Sequence, residues 1–90
     1  MLWRKRFAIR VTIYTKQGCG LCDEAMRMLQ SLQGEFVLAI EEVDITQDPA
    51  MYERYKYVIP VIDVEGGERL LPIFKEGDLR RALRAARHSS

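Results

Sequence analysis

The hydrophobic period of this chain changes at its two cysteines, and that change limits the folds open to it. From Phe7 to Thr15 the side chains alternate. Phe7, Ile9, Val11 and Ile13 share one face, and Ala8, Arg10, Thr12 and Tyr14 share the other. This is the two-residue period of a strand, with β-branched residues enriched. A polar loop, Lys16-Gln17-Gly18, leads to Cys19-Gly20-Leu21-Cys22. From Gly20 to Gln33 the period is helical. Leu21, Ala25, Met28 and Leu32 form one apolar stripe, and Cys22, Met26 and Leu29 form another beside it. The spacing predicts a helix with a broad apolar face packed on a sheet. Asp23 and Glu24 fall in its first turn, where the helix dipole favours negative charge, and Gly34 is a natural stop.

The rest of the chain completes a compact plan. Phe36 to Ile45 reads as a second strand whose near-continuous apolar start suits a strand covered on both faces. Asp48-Pro49 is a strong helix start, an N-cap oxygen followed by proline at the first helical position, and the helix is expected to reach about Lys56. Val58 to Val64 reads as a third strand interrupted at Pro60. Glu65-Gly66-Gly67-Glu68 reads as a hairpin turn made by paired glycines with positive φ. Arg69 to Phe74 returns as a fourth strand, with Pro72 marking an edge position. Asp78 is expected to cap a last helix whose Leu79, Ala82, Leu83 and Ala86 face inward. The order β-α-β-α-β-β-α predicts an α/β fold in one domain over residues 1–90: a mixed four-stranded sheet with three helices on its two faces.

Composition narrows the function classes. The 90 residues are 48% hydrophobic and 30% charged, with a formal net charge of +1. That balance suits a soluble globular domain and does not point to nucleic acid. The basic groups Arg4-Lys5-Arg6 and Arg80, Arg81, Arg84 and Arg87 read as solvated faces or ends. The N-terminal segment lacks the apolar run and cleavage site of a signal peptide, and no stretch is apolar enough to span a membrane. The expectation is a cytoplasmic monomer without a membrane or nucleic-acid partner.

The chemistry is expected at Cys19 and Cys22. The first sits at a helix N-terminus, where unpaired N–H groups and the dipole stabilise a thiolate. The second lies one turn in, within reach of the first sulfur. Cys19, at the loop–helix junction, is expected to be the more exposed and to attack, and Cys22 to resolve the mixed disulfide. Structural zinc is the rival reading, but it needs about four ligands. The chain adds only His88, in the terminal tail, so no metal site is expected. Two inert buried cysteines are the other rival, and the strand–C-x-x-C–helix context argues against it. Ile59-Pro60, at the start of the third strand, is expected to carry a cis bond beside the cysteines. Such a bond would turn the backbone of Ile59 toward a bound peptide or thiol.

With these residues in place, the chain resembles the glutaredoxin family of the thioredoxin superfamily. The resemblance rests on Tyr14-Thr15-Lys16-Gln17-Gly18-Cys19-Gly20-Leu21-Cys22, on Val43-Asp44-Ile45 and on Tyr57-Val58-Ile59-Pro60-Val61, in the family's order. It covers about Phe7 to Ala86 and is closest to small bacterial glutaredoxin-like proteins. It implies a thioredoxin-like fold and a thiol–disulfide oxidoreductase. Cys19 would be the nucleophile and Cys22 the resolving thiol. Lys16 would contact a glutathione carboxylate, Ile59 and Pro60 would flank the substrate, and Gly77-Asp78 would stand at the site for the γ-glutamyl carboxylate. The implied partners are a protein disulfide or a glutathione mixed disulfide and a thiol reductant. No cofactor is required, with glutathione as a co-substrate. Gly20 after the first cysteine also occurs in glutaredoxins that bind a [2Fe–2S] cluster with glutathione as co-ligand, and a non-catalytic interaction module is a third reading. Gly20-Leu21 replaces the proline–tyrosine common in dithiol glutaredoxins, and Lys75-Glu76 precede Gly77 in place of a glycine pair. Glu76 also puts negative charge near the expected carboxylate site, and the three departures bear on glutathione more than on disulfide exchange.

Overall fold

In the computed structural model, which describes residues 8–89, the period change becomes a strand-to-helix junction. Strand β1 spans Ile9–Thr15 and helix α1 spans Gly20–Leu32. Strand β2, Leu38–Asp44, is followed by a single 3₁₀ turn, Ile45–Gln47, and by helix α2, Pro49–Tyr55. Strands β3, Val61–Val64, and β4, Arg69–Leu70, form the hairpin, and helix α3 covers Glu76–Ser89. The sheet order is β2-β1-β3-β4. β1 pairs parallel with β2 and antiparallel with β3, and β3 pairs antiparallel with β4. The result is the mixed four-stranded sheet with three helices that the sequence predicts.

The alternation of β1 decides where the layers go. Ile9, Val11 and Ile13 point to one face and join Ala25, Leu29 and Leu32 of α1 with Leu79, Ala82, Leu83 and Ala86 of α3 in one core. These side chains are almost wholly removed from water, and apolar burial of this kind is the main favourable contribution to folding. Tyr14 points to the opposite face. There Ile45, Tyr55 and Val61 form a smaller core under α2, and Tyr14 stacks on Tyr55 with ring centroids 4.7 Å apart. Burial, followed by the charge of Asp63, pushes the Tyr14 hydroxyl above its ordinary range. α2 starts as its sequence signals: Asp48 Oδ1 accepts from the N–H groups of Ala50 at 2.9 Å and Met51 at 3.4 Å.

Several expectations are corrected. β2 lies at the edge of the sheet, and it is not covered on both faces, because its alternate residues are exposed. Val37, Ala39 and Glu41 are exposed, and Phe36 and Ile45 fall outside the strand. β3 begins only at Val61. Val58 instead closes a turn, its N–H donating to the Tyr55 carbonyl at 2.9 Å, and Pro60 has no N–H to offer a ladder. β4 stops at Leu70, and Pro72 lies beyond it. Leu21, expected in the inward stripe of α1, is 52% exposed, while Cys22 beside it is 2% exposed. Of the glycine pair only Gly66 has a positive φ, at 80°. Gly67 is there for space, because a Cβ at this position would lie 2.9 Å from the Ala82 carbonyl oxygen of α3. Asp78 does not precede α3 but lies in its first turn, and its carboxylate accepts the N–H of Lys75 at 2.8 Å. This is the reach-back half of a capping box.

The basic residues of α3 are engaged as a solvated face should be. Arg80 donates to Glu35 at 3.1 Å and to Glu76 at 3.2 Å, and Arg81 donates to Asp78 at 3.1 Å. The Glu35 contacts tie α3 to the turn that follows α1. Phe7 and the group Arg4-Lys5-Arg6 lie outside the described residues. Among the described residues no helix is long and apolar enough to cross a membrane.

Candidate functional site

Gly18 makes the turn that delivers Cys19 to α1. Its φ of 78° lies in the left-handed region that glycine enters without a side-chain clash. Cys19 then adopts extended backbone and becomes the N-cap residue of α1. Its Sγ accepts the N–H of Cys22 at 3.2 Å, and its carbonyl accepts the N–H of Asp23 at 3.1 Å. The sulfur therefore sits where a helix leaves backbone donors without intrahelical partners. Cys19 and Cys22 are joined as a disulfide, with Cα atoms 5.2 Å apart. The two differ in environment: Cys19 is half-buried and Cys22 is buried against the core. Cys19 is thus the more exposed of the two, as its place at the junction predicts.

The remaining predicted residues divide into three places. Ile59-Pro60 has a cis bond. Pro60 is buried and shares a groove with Leu21 of α1 and with Ile73 and Phe74, which follow β4. The fold thus gathers the C-x-x-C segment and the proline on one end of the molecule. Lys16 faces a separate polar recess with Gln17, Asp44, Thr46 and Tyr52. Thr15 Oγ1 donates to Glu42 Oε2 at 3.3 Å at the neighbouring recess, which Lys16 also lines. Gly77 and Asp78 lie in the first turn of α3 and are not among the groove's lining residues. Asp44 is committed locally, its Oδ1 accepting from the Thr46 N–H at 2.9 Å and the Thr46 hydroxyl at 2.7 Å, and this holds its carboxyl below the ordinary range. Among the described residues no group of three or more His, Cys, Asp or Glu converges to hold a metal ion. The sequence has two cysteines, so a cluster held by four thiolates would take its other ligands from elsewhere.

The sequence profile described as "Glutaredoxin-like domain (DUF836)" matches residues 10–84, which is most of the chain. The chain belongs to this glutaredoxin-like family. Its fold is similar to that of a structural-genomics target protein, XcR50, from X. campestris, with a TM-score of 0.71 and 31% identity. That match covers 83% of this chain and 96% of the other. A mutant thioredoxin from Halobacterium salinarum NRC-1 superimposes with a TM-score of 0.67 at 16% identity, over 92% of this chain and 78% of that one. This second likeness speaks for the thioredoxin fold alone. The glutaredoxin-like chain therefore has the fold and the C-x-x-C cysteine pair that the sequence implies.

Sequence reasoning missed the groove walls Met28, Ile73 and Phe74. No motif joins them. Ile73 and Phe74 read as strand residues, and only the early end of β4 at Leu70 frees them to face α1.

The charge at the start of α3 makes a testable contribution to stability. The Lys75 N–H, followed by the Arg81 guanidinium, holds the Asp78 carboxyl below the ordinary range. A group depressed on folding stabilises the folded state above its unfolded value of about 3.9 and loses that contribution as pH falls through the folded value. In thermal melts, Asp78→Asn is expected to melt below the parent at neutral pH. The gap should close as pH drops below about 4. A gap independent of pH would show that the ionised carboxylate contributes nothing.

Proposed function

We propose that this glutaredoxin-like protein exchanges disulfides through Cys19 and Cys22. The observation that carries the proposal is the asymmetry of the pair: one sulfur half-exposed at the N-cap of α1, the other buried one turn behind it. In the dithiol state, the helix N-terminus favours negative charge on Cys19 Sγ. The Cys19 thiolate attacks one sulfur of a substrate disulfide. The S–S bond breaks, one substrate half leaves as a thiolate, and the other is held in a mixed disulfide on Cys19. Cys22, after losing its proton, attacks Cys19 Sγ and expels the second substrate thiolate. Two electrons have passed to the substrate, and the Cys19–Cys22 disulfide remains. A thiol reductant, either glutathione or a thioredoxin-type system, returns it to the dithiol. In this reading Ile59 and Pro60 border the bound substrate, Lys16 carries positive charge at a neighbouring recess, and Gly77 and Asp78 stand at the start of α3.

Equilibration in glutathione or dithiothreitol redox buffers, followed by thiol trapping and mass measurement, tests this directly. One reversible two-electron transition assigned to Cys19 and Cys22 is expected, together with accelerated reduction of insulin. A pair that stays in one state across the accessible range of potentials, or a reversible pair that accelerates no disulfide reduction, would sink the proposal.

A further inference from the structure

Beside the cysteine pair lies an apolar groove that the exchange chemistry alone does not require. It encloses about 220 Å³ between Leu21 and Met28 of α1, Pro60, and Ile73 and Phe74. Leu21 is 52% exposed and Ile73 is 89% exposed. Large apolar side chains gathered at the rim of one recess, next to a reactive centre, mark a surface that another molecule covers.

The geometry points to a substrate class for this groove: an extended protein segment with a large apolar side chain beside the cysteine that Cys19 attacks. The inference rests on the disulfide-exchange reading above. Two observations carry it. The first is continuity. Leu21 stands between the two cysteines in the chain, and Pro60 walls the same groove. Neither cysteine lines the groove itself, so a segment bonded to Cys19 Sγ reaches it by running on past Leu21 and Pro60. The second is charge. Glu24 is the one charged side chain among the described residues that line the groove. The start of α3, two residues beyond Phe74, is occupied by its own acids, with Asp78 on the Lys75 N–H and Glu76 on Arg80. Glutathione has two carboxylates and one ammonium, and its net negative charge meets no free cation in this groove. A neutral or basic peptide with leucine, isoleucine or phenylalanine loses apolar surface to the groove and meets Glu24 without repulsion.

The test uses the reduced full-length protein and mixed disulfides that release thionitrobenzoate as Cys19 attacks the partner sulfur. The partners are glutathione and short cysteine peptides with Leu, Ala or Glu next to the cysteine. The leucine peptide is expected to react about tenfold faster than the alanine peptide, as partial burial of one such side chain would give, and faster than the glutamate peptide or glutathione. In Leu21→Ser with Ile73→Ser, both exposed positions that a folded chain tolerates, the Leu/Ala ratio should fall toward one. Circular dichroism establishes that this variant is folded, and Leu21→Ala alone serves if it is not. Equal rates on all partners, a preference for glutathione, or a Leu/Ala ratio untouched by the substitutions would overturn the inference and leave disulfide exchange standing. Release no faster than from Cys19→Ser with every partner would overturn disulfide exchange itself. A dimer at assay concentration that Leu21→Ser dissolves would assign the groove to a second copy of the chain, and so would also overturn the inference.

Discussion

Cys19→Ser is expected to lower the rate of disulfide exchange by about a thousandfold or more, whereas Cys22→Ala is expected to stop the cycle one step later. The two losses differ because the two sulfurs differ in place. Serine at position 19 keeps an oxygen at the N-cap, where serine is among the best residues, so α1 should retain its start. What disappears is the proposed nucleophile, because a serine hydroxyl does not ionise near neutral pH. Alanine at position 22 fits the buried site without adding a polar atom, since Cys22 is only 2% exposed. The first attack should proceed and the mixed disulfide on Cys19 should accumulate. Mass spectrometry of the protein after reaction with a substrate disulfide separates the outcomes: an adduct on Cys22→Ala and none on Cys19→Ser. An adduct on Cys22 in the Cys19→Ser protein would reverse the assigned roles.

Gly67→Ala is expected to destabilise the fold by about 1–3 kcal/mol, because the added methyl has nowhere to go. Its ideal position is 2.9 Å from the Ala82 carbonyl oxygen, 3.1 Å from Val64 Cγ1 and 3.3 Å from the Ala86 Cβ. The closest of these is helix backbone, so relief requires α3 to move off the hairpin, and α3 supplies four residues of the main core. Gly66→Ala makes the contrast. There the difficulty is a φ of 80°, worth about 1 kcal/mol, with no crowding invoked. Urea unfolding of both variants at a fixed temperature gives the comparison. A Gly67→Ala loss no greater than that of Gly66→Ala would mean that α3 yields more easily than its packing implies.

The same pair of glycines marks how far the sequence could be read. Gly66-Gly67 announced a turn correctly, yet a turn signal is local, and the reason for Gly67 is a helix that begins nine residues later. Signals of that local kind served well elsewhere. The alternation of β1, the Asp48-Pro49 start of α2, the inward face of α3 and the cis bond at Ile59-Pro60 all appear as expected. Periodicity was less informative where tertiary packing decides burial. The run Phe36-Val37-Leu38-Ala39-Ile40 looks doubly covered, but its alternate residues Val37 and Ala39 are exposed, and β2 lies at a border of the sheet. Leu21 lies at the helical spacing of the core stripe, yet it belongs to the first turn at the cysteine end of α1, where the groove lies. At the candidate site, the cysteines and proline were legible because a short motif and a residue type mark them in the chain. The apolar walls were not, because Met28, Ile73 and Phe74 meet only through tertiary structure.

The border position of β2 has a consequence for the company this molecule keeps. A strand at the margin of a sheet offers its backbone to any extended chain that comes alongside, and such recruitment is a route to fibrous assembly. Among the described residues no strand pairs with the outer side of β2, but Glu41 and Glu42 stand side by side on it and are exposed. Successive strand residues point to opposite faces, so the two carboxylates charge both surfaces of the ribbon. An identical margin aligned against it would meet like charge above and below. If the cysteine end receives extended segments of other proteins, this flank is guarded against recruiting them, and encounters are left to the end of the molecule where they can be productive.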